Sequence, residues 1–432
     1  MTLNIFLILT SYLMAKVVRE PMILAGGGAE LKSYSSVFQT ILLLGAVQLF
    51  GWLATHFSRR KLINSVTLFF IAGFLLFYLG LITIGPWNGI GYYLFVGIFS
   101  LMIIAQFWSF ANDIYTTEQG KRLFVLLAFG ASAGGVFGPM LAGAILDLVG
   151  VYNLLPISAG VLTISLILMN YIMSAVEQAP NRGATEPKPT TRTDMGKEGT
   201  LKVVFQSRYL LLIAFLMLIG NFVNTTGEYM LGRSVSETAA ALAAVPGAEA
   251  GLERTYIAKF YADFFTLVGF VGLLLQLFVV SRVLKYLGVK FAIMTLPVIA
   301  LGTNAIIALF PLLAVIRSGK IAENATDYSL NNTVRQILFL PCTKEQKYKA
   351  KVAIDSFFVR AGDVCSAGLV FAGATWLNFS LRHFAVVNLL LAAACVVLAL
   401  AIGREFRRRT EATSAADHPE PAESSGKSDM KE

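Results

Sequence analysis

Charged residues are scarce in this sequence. Of its 432 residues, 14% are charged and 56% are hydrophobic. A soluble domain has about 25% charged and 45–50% apolar residues, so a chain of soluble domains is excluded. The composition is typical of a protein that crosses the lipid bilayer several times.

Cysteine and histidine are also rare, with three residues of each. The cysteines, Cys342, Cys365 and Cys395, have neither the even count of a disulfide framework nor the spacing of a zinc site. The sequence also lacks the Gly-rich phosphate loop of an ATP-hydrolysing pump. We therefore expect no metal, no cofactor and no enzymatic activity.

Long hydrophobic runs make up most of the chain. A helix needs about 20 mostly apolar residues to span a membrane. Stretches of about that length run over 5–24, 35–57, 62–84, 90–112, 122–146, 152–175, 207–231, 257–280, 289–310, 312–341, 352–376 and 383–403. The sequence therefore predicts an all-α membrane protein with 12 transmembrane helices.

Basic residues are concentrated in alternate loops. One set of loops, together with the C-terminal segment, contains 24 Lys and Arg residues, whereas the opposite loops contain four. Because cytoplasmic loops carry the excess of basic residues, both termini are predicted to lie in the cytoplasm and the protein in the cell (inner) membrane. The net charge of +9 then belongs to these loops, and we expect no nucleic acid as a partner.

A polar segment divides the chain into two halves. Residues 177–200 contain three Pro and three Gly, which is typical of a linker. We predict an N-terminal six-helix bundle at 1–176, a cytoplasmic linker at 177–206, a C-terminal six-helix bundle at 207–403 and a disordered cytoplasmic tail at 404–432.

An internal repeat supports this division. Short matches occur in the same order in both halves, pairing 20–22 with 228–230, 32–34 with 254–256 and 116–119 with 343–346. The offsets are 208, 222 and 227 residues, and transporters commonly contain repeats of this kind. The alternative is shared composition without a shared fold.

Polar residues inside the predicted spans mark candidate functional positions. An ionisable side chain at membrane depth costs about 2.5–3.5 kcal/mol on insertion scales and usually faces a cavity. In span ten such residues recur every three or four positions, at Arg317, Lys320, Asn324, Asp327, Asn331 and Arg335. The alternative, a cytoplasmic loop at 312–341, would break the charge asymmetry.

The candidate substrate-binding residues come from this span and from spans one, four, seven, eight and eleven. In span one, the spacing of Lys16 and Glu20 allows an ion pair. In span eight, Lys259 and Asp263 form either an internal ion pair or a substrate contact. The same two interpretations hold for Arg360 and Asp363 in span eleven. The full set is Lys16, Arg19, Glu20, Asn112, Asp113, Asn221, Glu228, Asp263, Arg317, Lys320, Asn324, Asp327, Arg360 and Asp363.

Two short segments resemble motifs of the major facilitator superfamily. The sequence GGVFGPMLAG at 134–143 resembles its antiporter motif, and close-spaced glycines with a proline affect helix packing. The residues predicted to act in packing or gating are Gly134, Gly138, Pro139 and Gly143. The sequence GWLATHFSRRK at 51–61 resembles the gating motif, with Arg59 and Arg60 in place but Thr55 at the position of the usual acid.

A closer resemblance covers most of the first half. The segments LMAKVVREPMILAGGGAELKSYSS, FSRRKLI, AQFWSFANDIYTTEQGKRLF and FGASAGG are similar to bacterial relatives of the ATP/ADP antiporter (nucleotide transporter) family. The resemblance implies a twelve-span exchanger with ATP binding. It also implies a Lys and an Arg-acid pair in the first helix, which Lys16, Arg19 and Glu20 match.

The predicted function is secondary active transport by alternating access, exchanging an organic phosphate anion such as a nucleotide. Lys and Arg side chains suit a polyphosphate, and the polar spans offer Lys16, Arg19, Arg317, Lys320, Arg335 and Arg360. One alternative is a proton-coupled exporter of an amphipathic metabolite or drug, in which Glu20 or Glu228 carries the proton. Another is a lipid-handling protein or a non-transporting scaffold of the same fold. We expect a monomer.

Overall fold

The computed structural model describes residues 1–80, 87–115, 117–178 and 200–417, and every element that they form is a helix. The N-terminal half contains α1 (Thr2–His56), α2 (Arg59–Gly80), α3 (Trp87–Ile114), α4 (Thr117–Val149) and α5 (Leu154–Gln178). The C-terminal half contains α6 (Thr200–Gln206), α7 (Arg208–Ala243), α8 (Leu252–Leu274), α9 (Val280–Arg282), α10 (Gly288–Leu309), α11 (Leu313–Thr326), α12 (Asn332–Leu338), α13 (Lys344–Ala353), α14 (Val359–Phe371) and α15 (Leu381–Asp417). Five π-helical turns interrupt this half, at Leu275–Val279, Val283–Leu287, Asp327–Asn331, Ile354–Phe358 and Ala372–Trp376. The all-α fold class is confirmed.

Nine helical stretches in the described part are long and apolar enough to cross a membrane. Two of them, Thr2–His56 with 55 residues and Leu252–Leu309 with 58, exceed twice the length of about 20 residues that one crossing needs. The polar segment 313–338, predicted as part of span ten, is not among the nine because it carries five charged residues. The count of twelve and the orientation of the termini stay predictions.

The first two predicted spans form one helical run with a bend. Gly28 has a φ of 74° inside α1, a left-handed conformation that glycine adopts readily. Lys32 was expected in a loop between the spans, but it lies on α1 beyond the bend. A straight helix would separate Lys32 from Glu20 by about 18 Å, since each residue rises 1.5 Å. Their side chains are in contact at 2.6 Å, so the bend folds the second arm of α1 back towards the first.

The predicted linker and tail are partly helical. Residues 179–199 and 418–432 lie outside the described residues, so these parts of the two predictions are untested. Within the linker, 200–206 form α6, and α15 continues beyond the predicted end at 403 to Asp417. Ion pairs between residues four apart, such as Arg407 with Glu411, support this extension. The predicted disorder therefore does not apply to residues 404–417.

The glycines of 134–143 pack helices together. A Cβ atom on Gly134 would lie 2.3 Å from the carbonyl oxygen of Phe6, and one on Gly138 would lie 2.6 Å from that of Thr10. Gly143 instead faces α8, where its Cβ would lie 3.3 Å from that of Ala262. Helix α4, which also contains the buried Pro139, therefore fits against the first arm of α1 and against the other half of the chain.

The C-terminal half repeats this contact. A Cβ atom on Gly362 of α14 would lie 2.5 Å from the carbonyl oxygen of Leu218 on α7. Leu218 is 208 residues after Thr10, and Gly362 is 224 after Gly138, close to the offsets of the sequence matches. The paired contacts support an internal repeat of fold.

Candidate functional site

A polar cavity of about 210 Å³, here called the central cavity, lies between the two halves. Helices α1 and α3 line one side, and α7, α8, α11, α14 and the π turn Asp327–Asn331 line the other. Its lining residues are Lys16, Arg19, Glu20, Lys32, Ser33, Ser36, Gln39, Tyr93, Asn224, Thr225, Glu228, Tyr229, Phe265, Asn324, Tyr328, Arg360 and Asp363. Among these, Phe265 alone has a purely hydrocarbon side chain. The cavity therefore suits a charged or strongly polar ligand.

Glu20 holds two cations on the α1 side of the central cavity. One carboxylate oxygen accepts hydrogen bonds from Arg19, and the other lies 2.6 Å from Nζ of Lys32. The guanidinium of Arg19 also lies 4.8 Å from the ring centroid of Tyr93. The Glu20 side chain is 1% exposed, so this ion-pair network is desolvated and fixed.

Lys16 does not form the ion pair with Glu20 that its spacing allowed. Its Nζ lies 4.2 Å from the ring centroid of Phe265, a cation–π contact across the central cavity. Both oxygens of Glu20 are already occupied by Arg19 and Lys32, which removes the expected partner. Among the described residues, Lys16 has no ion-pair partner, so its charge is available to a ligand.

Lys320 lies behind the wall of the central cavity and is 1% exposed. Its Nζ is 2.8 Å from Oδ1 of Asn224, 3.1 Å from a carboxylate oxygen of Glu323 and 3.6 Å from one of Glu228. Gly227 leaves room for it, because a Cβ there would lie 3.1 Å from Cδ of Lys320. Lys320 is thus a buried cation shared by two acids, and it does not line the central cavity.

Other candidates from the C-terminal half do meet at the central cavity. Asn324 donates to Glu228 at 2.9 Å, and Asp363 accepts from Asn221 at 2.7 Å. Arg360 pairs with Asp363 at 3.1 Å, which agrees with the internal-pair interpretation of span eleven. All of these except Asn221 line the cavity.

Of the fourteen candidates, seven do not line the central cavity, namely Asn112, Asp113, Asn221, Asp263, Arg317, Lys320 and Asp327. Asn112 and Asp263 are exposed, and neither is among the lining residues. The guanidinium of Arg317 stacks on Phe260, with 5.2 Å between Cζ and the ring centroid. The helical periodicity of the sequence placed them on polar faces but did not show which neighbour each face meets.

The gating-motif arginines connect helices of the N-terminal half. Arg59 forms an ion pair at 2.7 Å with Asp113, an exposed residue at the end of α3. Arg60 contacts α5 through Ser174 at 3.2 Å and Glu177 at 3.4 Å. These contacts brace α2 against α3 and α5.

The polar stripe of span ten lines two cavities. Asn324 and Tyr328 face the central cavity, whereas Glu323, Asp327, Asn331 and Arg335 line a second cavity of about 100 Å³ between α7, α10, α11, α12 and α15, here called the C-half cavity. Asn221 and Asn224 lie on its opposite side. The division begins before the π turn Asp327–Asn331, since the neighbouring residues Glu323 and Asn324 of α11 already face different cavities. The sequence predicted that this helix lines an aqueous cavity, but it did not predict that its polar residues face two separate cavities.

Opposite the gating-motif end, direct contacts join the two halves. Lys259 of α8 pairs with Asp147 of α4 at 2.7 Å, so the expected pair of Lys259 with Asp263 does not form. The hydroxyl of Tyr229 donates to Glu30 at 2.7 Å. These contacts bridge α4 to α8 and α1 to α7.

A cleft of about 380 Å³ meets the central cavity at Arg360. The cleft is bounded by the second arm of α1, by helix α3, by helix α13 and by the π turn Ile354–Phe358 that follows α13. Its lining residues are Thr40, Leu43, Val47, Leu101, Lys351, Val352, Asp355, Ser356 and Arg360. Its lining is partly apolar and also contains the charged residues Lys351, Asp355 and Arg360.

The sequence reasoning missed several lining residues. Lys32 was placed in a loop, and Glu323 was passed over although it follows Lys320 by three residues on the same face. Tyr93 and Tyr328 gave no signal, because aromatic residues are common throughout this chain.

Sequence comparison connects this architecture to known proteins. The sequence model described as Major Facilitator Superfamily matches residues 2–340. ADP,ATP carrier protein 1 of Chlamydia pneumoniae is 25% identical over 329 residues, covering 66% of this chain and 60% of that protein. ADP,ATP carrier protein 2 of Chlamydia trachomatis serovar D is 21% identical over 488 residues, covering 94% of this chain and 88% of that protein.

Structural comparison gives the same fold. A crystal structure of a bacterial homologue of the iron transporter ferroportin, in an inward-facing state, has a TM-score of 0.62 and 14% identity, covering 94% of this chain and 97% of that one. Together with the apolar helices, these similarities identify a multi-pass protein of the inner membrane and a secondary transporter. Because the family match covers most of the sequence, the chain belongs to the Major Facilitator Superfamily.

Proposed function

We propose that this transporter exchanges an organic phosphate anion of the nucleotide class by alternating access. The observation that carries the proposal is the cation cluster of the central cavity, formed by Lys16, Arg19, Lys32 and Arg360. Several basic groups in a partly desolvated cavity bind phosphate oxygens through charge-assisted hydrogen bonds. The names of the two carrier relatives support the same substrate class.

Aromatic residues support a ligand with a planar base. Tyr93, Phe265 and Tyr328 line the same cavity as the cations. A phosphate group near Lys16 would leave the rest of a nucleotide beside these rings, where a base can stack. The apolar exporter alternative is disfavoured, since an amphipathic drug would find a single hydrocarbon side chain, Phe265, in this lining.

The lipid-handling alternative draws on the cleft, where Leu43, Val47, Leu101 and Val352 are apolar. The cleft and the central cavity share Arg360, and the central cavity is lined by charged and polar residues. An acyl chain entering that cavity would displace water from ion pairs without replacing their hydrogen bonds. We therefore assign the cleft to the path of a polar substrate.

Exchange in proteoliposomes tests the proposal. Vesicles containing the purified full chain are preloaded with unlabelled ADP or left empty, and uptake of labelled ATP is measured with and without a pH gradient. The expected result is uptake that requires internal ADP and is competed by nucleotides but not by adenosine. Uptake of labelled ATP that is absent under all these conditions would contradict the proposal, and so would uptake that depends on the pH gradient alone.

A further inference from the structure

The C-half cavity has no part in the proposed binding of the anion. Its polar lining is Asn221, Asn224, Glu323, Asp327, Asn331 and Arg335, and the rest is mostly apolar. It is separated from the central cavity by Lys320 and Asn224, which hydrogen-bond to each other at 2.8 Å. A cavity of about 100 Å³ exceeds the volume of about 30 Å³ that one water molecule occupies in the liquid, so it has room for an ion with water.

Glu323 points to a ligand in this cavity. The residue is 4% exposed, and one of its carboxylate oxygens accepts a hydrogen bond from Lys320 at 3.1 Å. The other oxygen, Oε1, is buried without a hydrogen-bond partner among the described residues. An unsatisfied buried carboxylate oxygen is costly, and in native proteins such a group usually has a donor, water or ion beside it.

Acids outnumber bases in the described lining of this cavity, which contains Glu323 and Asp327 but, as a base, only Arg335. Arg335 already forms an ion pair with Asp355 at 2.7 Å. Lys320 is shared between Glu228 and Glu323. Asp327 accepts a hydrogen bond from the neutral amide of Asn331 at 2.6 Å. A bound cation would offset this excess of negative charge.

The donor set defines the class of cation. Carboxylate and amide oxygens are hard ligands that suit alkali or alkaline-earth ions better than transition metals. The described residues contain no group of three or more His, Cys, Asp or Glu placed to hold a metal ion, so amide oxygens have to supply the remaining ligands of any ion in this cavity. The π turn Asp327–Asn331 forms part of the cavity wall, and π turns occur frequently at functional sites.

We propose that the C-half cavity binds a sodium ion through Glu323 and Asp327, with amide oxygens of the surrounding asparagines completing its ligands. The ion takes over the neutralisation of Glu323, and Lys320 then interacts more strongly with Glu228 in the central cavity. Lys320 therefore couples the sodium site to the substrate cavity, as coupling-ion sites in other transporters lie beside the substrate site.

Thermal unfolding of the purified full chain in detergent tests the sodium site. The Tm is measured in NaCl and in choline chloride at equal ionic strength, with no nucleotide present, so the result does not depend on the proposed substrate. A ligand that binds the folded state raises Tm in a saturable manner. We expect such an increase in NaCl, and we expect Glu323→Gln and Asp327→Asn each to weaken the apparent sodium affinity at least about tenfold.

Glu237→Gln is the matched control, because Glu237 lies on α7 with its side chain 57% exposed and pairs with Arg233. This variant should keep the wild-type response to sodium. If Glu323→Gln is too unstable to purify, Asp327→Asn and equilibrium binding of radioactive sodium to the wild type carry the test. Equal Tm values in the two salts overturn the proposal, as does a sodium response that both cavity variants retain. A Tm that depends on pH but not on sodium also overturns it.

Discussion

Glu20 and Glu228 occupy equivalent positions in the two halves, 208 residues apart, yet their surroundings differ. Glu20 is 1% exposed and has a cation on each oxygen. Glu228 is 25% exposed, accepts a hydrogen bond from Asn324, and lies 3.6 Å from a lysine that it shares with Glu323. Each half thus has an acid on its first long helix, α1 or α7, but the two acids have different partners.

This difference gives the central cavity two unlike sides. On the α1 side, three cations surround one acid, whereas on the C-terminal side the acids Glu228 and Asp363 outnumber Arg360. An anion is therefore attracted to the α1 side, and the C-terminal side retains an excess of negative charge. Lys320 offsets part of that excess, and under our proposal the sodium ion leaves Lys320 free to neutralise Glu228.

The largest expected effect comes from removing the cation that the two C-terminal acids share. Lys320→Ala leaves Glu228 and Glu323 without their shared cation. Breaking a buried ion pair lowers the free energy of unfolding by about 3–5 kcal/mol. We expect a much lower Tm and reduced membrane expression, measured by thermal unfolding and fluorescence-detected gel filtration. Lys16→Ala is the control, because Lys16 has no ion pair among the described residues. An unchanged Tm in Lys320→Ala would show that the acids find other partners.

A direct comparison of the equivalent acids has a smaller expected effect. Glu20→Gln leaves Arg19 and Lys32 buried without their carboxylate, which costs about 1–3 kcal/mol or more. Glu228→Gln keeps Lys320 paired with Glu323, so its Tm should fall less. The two variants are compared by thermal unfolding under identical conditions. Equal decreases in Tm would mean that the acids have the same structural role, contrary to their contacts.

The fold was predictable because its determinants are local in sequence. Hydrophobic length and loop charge depend on neighbouring residues, and the glycines 134–143 predicted a packing contact that Phe6 and Thr10 complete. The sequence did not identify α1 as the partner of these glycines, and that contact comes from the structure. Reasoning from neighbouring residues also gave the general location of the polar residues.

The partners of the charged residues were not predictable, because they depend on bends and register. The bend at Gly28 brings Lys32 to Glu20 and so leaves Lys16 without its expected partner. In span ten, the neighbouring residues Glu323 and Asn324 line different cavities. Periodicity identifies a polar face of a helix, but it does not show which cavities that face meets.

Lys16 allows the α1 side of the cavity to be weakened without disturbing an ion pair. A charge-assisted hydrogen bond to phosphate contributes about 1.5–3 kcal/mol, so Lys16→Ala should reduce exchange by roughly tenfold or more. The Tm should stay close to that of the wild type. Exchange of labelled ATP in preloaded vesicles measures the first effect, with the exposed Arg408→Ala of α15 as the control. Normal exchange in Lys16→Ala would remove this residue from the binding site.

The smallest expected effect concerns the contact that joins the two halves. Asp147 and Lys259 are 64% and 47% exposed, and such surface pairs contribute about 0.2–1 kcal/mol. A double-mutant cycle of exchange rates with Asp147→Asn and Lys259→Gln should therefore give a coupling energy within that range, and high salt should reduce it. The proposed alternating access predicts a weak contact here, because the two halves have to separate at each cycle. A coupling energy well above about 1 kcal/mol would assign the pair a rigid structural role, and strictly additive effects would show that the contact does not hold the halves together in the membrane.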